Sequence, residues 1–199
     1  MPRNSKNSQG YSSRKVNIRE VKQRFLIVCE GEKTEPNYFQ SFRVPKVVIE
    51  IKGLGYNPSK LVEAANELKS EDEYDQVWCV FDRDDCPKQD FNSAISSAKS
   101  SKIQVAYSNE AFELWYVLHF EFLNTGIPRK DYITKLASLL GKKYEKNSKT
   151  IYDDLIDKQD TAIKNSKKLL EQYKPSKPEQ DNPSTTVHLL VEQLIESAR

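Results

Sequence analysis

Residues 25–36 read FLIVCEGEKTEP, an apolar run that ends abruptly in a carboxylate and a glycine. The five residues before Glu30 are continuously apolar and rich in β-branched and aromatic types, which predicts a strand buried on both faces, as in parallel sheets. Gly31 permits a sharp turn, and Thr34 as N-cap with Pro36 in the first turn predicts that a helix follows at once. Taken alone, this is also the pattern of a plain strand-to-helix turn with solvated glutamates.

A second apolar run, VWCVF at residues 77–81, ends in the acidic sequence Asp82-Arg83-Asp84. Strands and helices are predicted to alternate along this half of the chain, which indicates a parallel sheet with helices on its faces. Right-handed crossovers then bring the carboxyl ends of the strands to one edge, where ligands bind in open α/β sheets. We therefore expect the two acidic strand ends to meet. The predicted strands cover residues 25–29, 46–51, 77–81 and 103–107.

Three segments are predicted in the chain of 199 residues. Residues 1–23 form a basic, polar segment, predicted to be disordered, that either grips nucleic-acid phosphates or keeps the protein in solution. Residues 24–108 form the α/β core. Residues 109–199 are predicted to be a helical appendage that packs on this core. The expected fold class is therefore α/β, a parallel sheet flanked by helices with a C-terminal helical region.

Composition and motifs exclude several classes of protein. No apolar run is long enough to span a membrane and no charged-then-apolar leader is present, so we expect a cytoplasmic protein without a membrane partner. The three cysteines form no CxxC pair and the two histidines lack metal-site spacing to them, which argues against zinc. The absence of a P-loop argues against ATP hydrolysis by this chain.

Residues 110–122 are rich in aromatic side chains and are predicted to form a largely buried helix. Glu113 lies in the middle of it, three residues after Glu110 and nearly on the same face. An acid in such an apolar helix is rarely buried without a partner. Glu113 is therefore either a rim residue paired with a lysine or a further carboxylate that reaches the acidic edge of the sheet.

The carboxylates of Glu30, Asp82 and Asp84 are hard oxygen ligands, with no His or Cys in a ligating pattern beside them. Such a set suits Mg²⁺ or Mn²⁺ rather than zinc. Divalent cations held in this way neutralise a scissile phosphate and activate water, which is the chemistry of phosphoryl transfer on nucleic acids. The sequence thus predicts a metal-dependent nuclease site.

The pair Glu30-Gly31 followed by Asp82-x-Asp84, each at the end of an apolar strand, resembles the TOPRIM domain of topoisomerases, bacterial primases and OLD-type nucleases. A wider set of landmarks resembles the RloB-like family, and it extends over nearly all of the chain beyond the basic segment. The landmarks are VCEGEKTEPNYF at residues 28–39, FDRD at 81–84, SN-x-x-FELW at 108–115 and NPST at 182–185.

This resemblance implies a prokaryotic anti-phage protein of the abortive-infection type, encoded near an ABC-type ATPase that would be its partner. It implies a nuclease that cuts DNA or RNA, including transfer RNA. By analogy with OLD-type nucleases, Glu30, Asp82 and Asp84 would hold one Mg²⁺ or Mn²⁺, and Glu35 and Glu113 would help to hold a second.

Two spacings depart from the OLD pattern. There the second glutamate follows the first by four residues, whereas Glu35 follows Glu30 by five, so Glu32 is a rival. Glu110 is likewise a rival of Glu113, because Ser108-x-Glu110 also resembles that pattern.

Two basic residues lie in the predicted site loops, Lys33 and Arg83. Either they contact the phosphates of a nucleic acid or they offset the neighbouring acids. Two other functions fit the sequence: a catalytically silent sensor or effector subunit of a defence complex, and a module that only binds nucleic acid. The sequence gives no prediction of oligomeric state.

Overall fold

The computed structural model describes residues 23–44 and 47–198, which form one five-stranded sheet with helices on both faces. The strands are β1 (Gln23–Cys29), β2 (Val47–Gly53), β3 (Gln76–Asp82), β4 (Gln104–Asn109) and β5 (Ser184–Thr185). The helices are α1 (Thr34–Gln40), α2 (Pro58–Glu71), α3 (Lys88–Ser100), α4 (Glu113–Leu118), α5 (Arg129–Leu140), α6 (Ile151–Leu155), α7 (Gln159–Leu170) and α8 (Val187–Glu196).

The strand order across the sheet is β2-β1-β3-β4-β5. The first four strands are parallel, and only β5 runs antiparallel to its neighbour β4. The carboxyl ends of β1 and β3, which are adjacent strands, therefore lie side by side at one edge. The predicted α/β fold, a mostly parallel sheet flanked by helices, is confirmed.

Strand β1 lies between β2 and β3 and is buried on both faces, as its continuous apolar run predicts. Phe25, Ile27 and Cys29 face one core, shared with α1, α4, α7 and α8. Leu26 and Val28 face the other, shared with α2 and α3. Because successive side chains of a strand point to opposite faces, a strand between two helical layers is apolar at every position.

The helical appendage predicted over residues 109–199 also contributes a strand. In β5, Thr185 pairs with Ser108 and Ser184 with Asn109, so this part of the chain extends the sheet. The aromatic helix predicted over residues 110–122 is shorter, since α4 spans only Glu113–Leu118. Just before it, Asn109 pairs with Ser184 of β5, and the Glu110 carbonyl accepts the Asp84 N–H at 3.1 Å rather than an N–H of α4.

Some expectations fall on residues that are not described. The basic segment predicted over residues 1–23 lies outside the described residues except for Gln23, which begins β1. No helix in the described ranges combines the length and the apolar character needed to cross a membrane.

Candidate active site

The two acidic strand ends are joined by a direct hydrogen bond. Glu30 follows β1, and its own N–H donates to the Val80 carbonyl of β3 at 2.8 Å. Its Oε2 accepts the backbone N–H of Asp82, the last residue of β3, at 3.0 Å. The sheet register therefore fixes the distance between these two acids, because both belong to adjacent parallel strands.

An open cavity of about 410 Å³ lies over these strand ends. Acidic side chains cover the side formed by the sheet and by the starts of α1 and α4, while basic and amide side chains come from α5 and from the segment before α6. The lining residues are Glu30, Gly31, Glu32, Lys33, Thr34, Glu35, Asp82, Asp84, Phe112, Glu113, Arg129, Lys146 and Asn147.

Two carboxylate oxygens in this cavity are buried without a hydrogen-bond partner among the described residues. They are Glu35 Oε2 and Asp82 Oδ1, on side chains only 5% and 6% exposed. The other oxygen of Asp82, Oδ2, accepts the N–H of Phe112 at 3.1 Å. Since a buried charge is costly unless it is paired or bound to a metal, each of these oxygens needs a proton or a cation.

Burial and mutual repulsion raise the pKa values of three of these acids. Burial raises the pKa of Glu35 to about 7, and the charges of Glu113 and Glu30 act in the same direction. Burial, together with the charges of Glu35, Glu113 and Glu30, raises the pKa of Asp82. The pKa of Glu30 is also raised by burial, against the hydrogen bond from Asp82 and the charge of Arg129. Clustered, desolvated carboxylates of this kind mark functional sites.

Gly31 lets Glu35 reach the cavity despite its five-residue separation from Glu30. A Cβ at position 31 would lie 2.1 Å from Glu35 Oε2, so the carboxylate occupies the space that any side chain there would need. The rival, Glu32, is exposed on the rim, and its Oε1 lies near Gly55. Of the two, Glu35 is the one buried among the acids.

Glu113 is the first residue of α4, is 3% exposed and lines the cavity. Its Oε1 accepts the hydroxyl of Tyr144 at 3.4 Å. Its rival, Glu110, is not among the lining residues and contributes its carbonyl to the Asp84 N–H. The structure therefore places the side chain of Glu113, rather than that of Glu110, beside Glu35 and Asp82.

Asp84 and the two basic residues predicted beside it, Lys33 and Arg83, differ in what their side chains contact. Asp84 adopts a left-handed backbone conformation (φ 29°), and its Oδ2 forms an ion pair with Arg129 Nη1. The Nη1 of Arg83 donates to the carbonyls of Asp84, at 2.8 Å, and Cys86, so this guanidinium is turned towards its own loop. Lys33 is exposed and lines the cavity.

Sequence reasoning missed three polar lining residues: Arg129, Lys146 and Asn147. It also placed Thr34 as the N-cap of α1, which is wrong, since Thr34 lies inside the helix and Lys33 occupies the capping position. The Thr34 hydroxyl instead donates to the Lys146 carbonyl at 2.9 Å.

A neighbouring bond, from Asn37 Nδ2 to the Asn147 carbonyl at 3.0 Å, fixes the same segment over α1. Because the segment around Asn147 has no periodic pattern and is distant in sequence from Glu30, only its lysines could have indicated a role.

The oxygen atoms of these side chains are suitable ligands for a divalent cation, although the side chains are not positioned around one common point. Within residues 23–44 and 47–198, no group of three or more His, Cys, Asp or Glu side chains is arranged as a metal site. Five of the six acids that line the cavity, all except the exposed Glu32, nevertheless offer oxygen donors to its interior, and two of them carry buried oxygens without partners among the described residues. Oxygen-only sets of this type suit Mg²⁺ or Mn²⁺. The acids are Glu30, Glu35, Asp82, Asp84 and Glu113.

Fold and site together define an α/β protein with an acidic cavity at the carboxyl edge of a mostly parallel sheet. The family model described as RloB-like protein matches residues 25–194, which is most of the chain. The chain therefore belongs to the RloB-like family. No curated protein and no solved structure matches it.

Proposed function

We propose that this protein is a divalent-cation-dependent nuclease with a TOPRIM-type catalytic core. The observation that carries the proposal is the convergence of five acids from β1, β3, the following loops, α1 and α4 on one cavity, two of them with buried oxygens that find no hydrogen-bond partner in the described part of the chain. A structural role does not explain this convergence, because without a cation it is electrostatically costly.

Glu30, Asp82 and Asp84 would hold the cation, with Glu35 and Glu113 completing the set. When bound, Mg²⁺ or Mn²⁺ supplies charge neutralisation at a phosphate and a lowered pKa for water. The chain itself fixes the geometry: the hydrogen bond from the Phe112 N–H orients Asp82. Glu35 Oε2, which is buried among the acids without a hydrogen-bond partner in the described residues, would contact either the cation or its bound water.

The opposite wall of the cavity would bind the nucleic-acid backbone. Arg129 and Lys146 line it, Lys33 lines the cavity at the start of α1, and Lys and Arg side chains are the usual contacts to phosphate oxygens. A site that contacts only phosphates and a cation does not choose between DNA and RNA. The proposed substrate class is therefore phosphodiesters of either nucleic acid, including transfer RNA.

A second candidate function is a silent sensor or effector subunit, or a module that only binds nucleic acid. The observation that favours it is the ion pair between Asp84 and Arg129, which occupies one of the proposed ligands with a protein cation. This candidate differs from the nuclease in predicting no cleavage under any condition.

Membership of the RloB-like family supports a role in prokaryotic anti-phage defence. We extend the proposal accordingly to an intracellular complex in the cytoplasm with an ABC-type ATPase, which would control the nuclease.

The test is cleavage of plasmid DNA, single-stranded DNA and total bacterial RNA with Mg²⁺ or Mn²⁺, with and without the ATPase encoded nearby. Asp82→Asn should lower the rate by at least about 100-fold, as loss of one precisely placed transition-state contact does. The side chain keeps its size and can still accept the Phe112 hydrogen bond, so circular dichroism should show an unchanged fold.

The matched control is Asp157→Asn, which removes an equal charge at an exposed position outside the cavity. It should cleave at the wild-type rate. Cleavage that persists in Asp82→Asn would contradict the proposal. Failure of the wild type to cut any substrate, even with the ATPase present, would favour the silent subunit.

A further inference from the structure

Strand β2 forms one edge of the sheet, and its outer side has no strand partner among the described residues. It is seven residues long, with the sequence VVIEIKG, and its Val48 is 44% exposed. The strand at the opposite edge, β5, has only two residues. A long edge strand rich in β-branched residues is a template for pairing with another chain.

The hydrogen bonds of β2 show which residues are free to pair. Leu54 donates its N–H to the Cys29 carbonyl at 3.1 Å, which fits the register in which Cys29 pairs with Gly53. In a parallel ladder only alternate residues bond to a given neighbour. The even-numbered residues of β2 therefore bond to β1, and the odd-numbered Ile49, Ile51 and Gly53 direct their N–H and carbonyl groups outwards.

The side chains of β2 are self-complementary about Ile51. Glu50 and Lys52 lie on the same face and form an ion pair at 3.1 Å, with side chains 37% and 42% exposed. In an antiparallel pair of two β2 strands with Ile51 opposite its own copy, each Glu50 lies opposite a Lys52. The exposed Val48 then lies opposite Leu54. Opposite charges and apolar pairs placed directly across strands stabilise a sheet.

We propose that a second copy of this chain pairs with the outer edge of β2, antiparallel, about a two-fold axis at Ile51. The two sheets become one continuous sheet. A groove of about 370 Å³ beside this edge, lined by both apolar and polar residues, among them Phe42, Ile51 and Arg43, is covered as the copies meet. The interface is isologous, since the same residues of both copies take part.

Other registers conflict with the same observations. A two-fold axis at Glu50 would place the two Glu50 side chains opposite each other and would require the inward-bonded even residues to pair outwards. An axis at Ile49 keeps the hydrogen-bond parity but sets Glu50 opposite Val48 and Ile51 opposite Val47, so that Glu50 does not face Lys52. Like charges directly opposite destabilise a pair of strands. Of these three registers, only the one about Ile51 satisfies both charge and hydrogen bonding.

The test is sedimentation velocity over a concentration series. The wild type should be a dimer whose dissociation constant rises at least about tenfold in Lys52→Glu, because two attractive pairs become repulsive. Glu50→Lys should weaken the dimer in the same way. An equimolar mixture of these two variants should form heterodimers, since every Glu then lies opposite a Lys.

Lys60→Glu makes the same charge change at an exposed residue of α2 and should leave the dimer unchanged. Glu50 also accepts the Tyr74 hydroxyl at 2.7 Å, so thermal melts of Glu50→Lys must show a folded protein, and Lys52→Glu alone carries the test if they do not. A wild type that stays monomeric overturns the proposal. So does a dimer that Lys52→Glu does not weaken.

Discussion

At the scale of single residues, the ionised side chain of Glu35 lowers the stability of the folded state, because its carboxylate is buried among other acids. Its side chain is 5% exposed, one of its oxygens has no hydrogen-bond partner among the described residues, and its pKa is about 7. In the unfolded chain the carboxyl group would titrate at its ordinary value of 4.5. Between these two pH values the unfolded state ionises first, so the group increasingly favours unfolding as pH rises.

Replacing Glu35 with Gln should therefore stabilise the metal-free protein above pH 7. The gain is on the order of 3 kcal/mol, at about 1.4 kcal/mol for each unit between the two pKa values. It should shrink as pH falls from about 7 and vanish below about 4.5, where both states are protonated. Denaturant unfolding of the chelator-treated protein at pH 8 and pH 4 measures the difference.

Glu32→Gln is the matched control for this experiment, because it makes the same change at an exposed position on the rim. Its free energy of unfolding should stay close to that of the wild type at both pH values. A loss of stability in Glu35→Gln at pH 8 would show that the carboxylate is not an electrostatic liability.

The site residues divide into those that strand patterns reveal and those that they do not. Glu30 and Asp82 terminate continuous apolar runs, so their meeting at one edge could be predicted from the sequence. The positions of Arg129 and Lys146 in the cavity could not be predicted in this way, because neither residue follows an apolar run that marks the end of a strand. Their positions depend on packing between parts of the chain that are distant in sequence.

At the scale of elements, the start of α2 is specified locally. Asn57 accepts the Lys60 N–H on its side chain at 3.0 Å, and Pro58 takes the first helical position. Both choices suit a helix start, since the side-chain oxygen satisfies an otherwise free N–H and Pro has none to lose. The sequence could therefore predict this helix nearly to its first residue.

Asn57→Ala should lower the free energy of unfolding by about 1 kcal/mol, the usual cost of losing an N-cap. Asn57→Asp, which keeps the capping oxygen, should cost only a few tenths. Urea unfolding of the three proteins measures the effect. If both variants lost the same free energy of unfolding, the capping oxygen of Asn57 would not be what stabilises the helix.

Helix α4 shows where local patterns fail. Its aromatic sequence predicts a helix over residues 110–122, but β4 runs to Asn109, which pairs with Ser184 of β5, and the helix begins only at Glu113 after a turn. At the other end, the side chain of Asn165 donates to the Leu118 carbonyl at 2.8 Å. Both limits are set by contacts with residues far along the chain, which no local periodicity encodes.

At the scale of the whole molecule, cation binding and folding are linked. The acids of the cavity come from β1, α1, β3 and α4, so they are brought together only in the folded chain. A cation that binds the folded state alone stabilises it by mass action, by about 2.7 kcal/mol at 100 times its dissociation constant.

The melting temperature of the wild type should therefore rise with Mn²⁺ concentration and return to its starting value on chelation. The rise should be largely absent in Asp82→Asn and preserved in Asp157→Asn. Differential scanning fluorimetry checks this without any nucleic acid present. An equal rise in the wild type and Asp82→Asn would place the bound cation elsewhere.

The parallel arrangement of β1 to β4 was predictable, because each strand is an apolar run separated from the next by a helical pattern. Strand β5 was not. It has two residues, Ser184 and Thr185, and is recognisable only through its pairing with Ser108 and Asn109. A short polar strand of this kind has no recognisable sequence pattern and is identified only by its hydrogen bonding to β4 in the folded structure.

The space above Gly31 has a consequence for how related chains diverge. Since Glu35 Oε2 occupies the position of the missing Cβ, residues 31 and 35 share one volume. A methyl group at position 31 would force the Glu35 carboxylate out of this volume, either by a change of its side-chain conformation or by a shorter residue at position 35. The two positions are therefore expected to evolve as a pair.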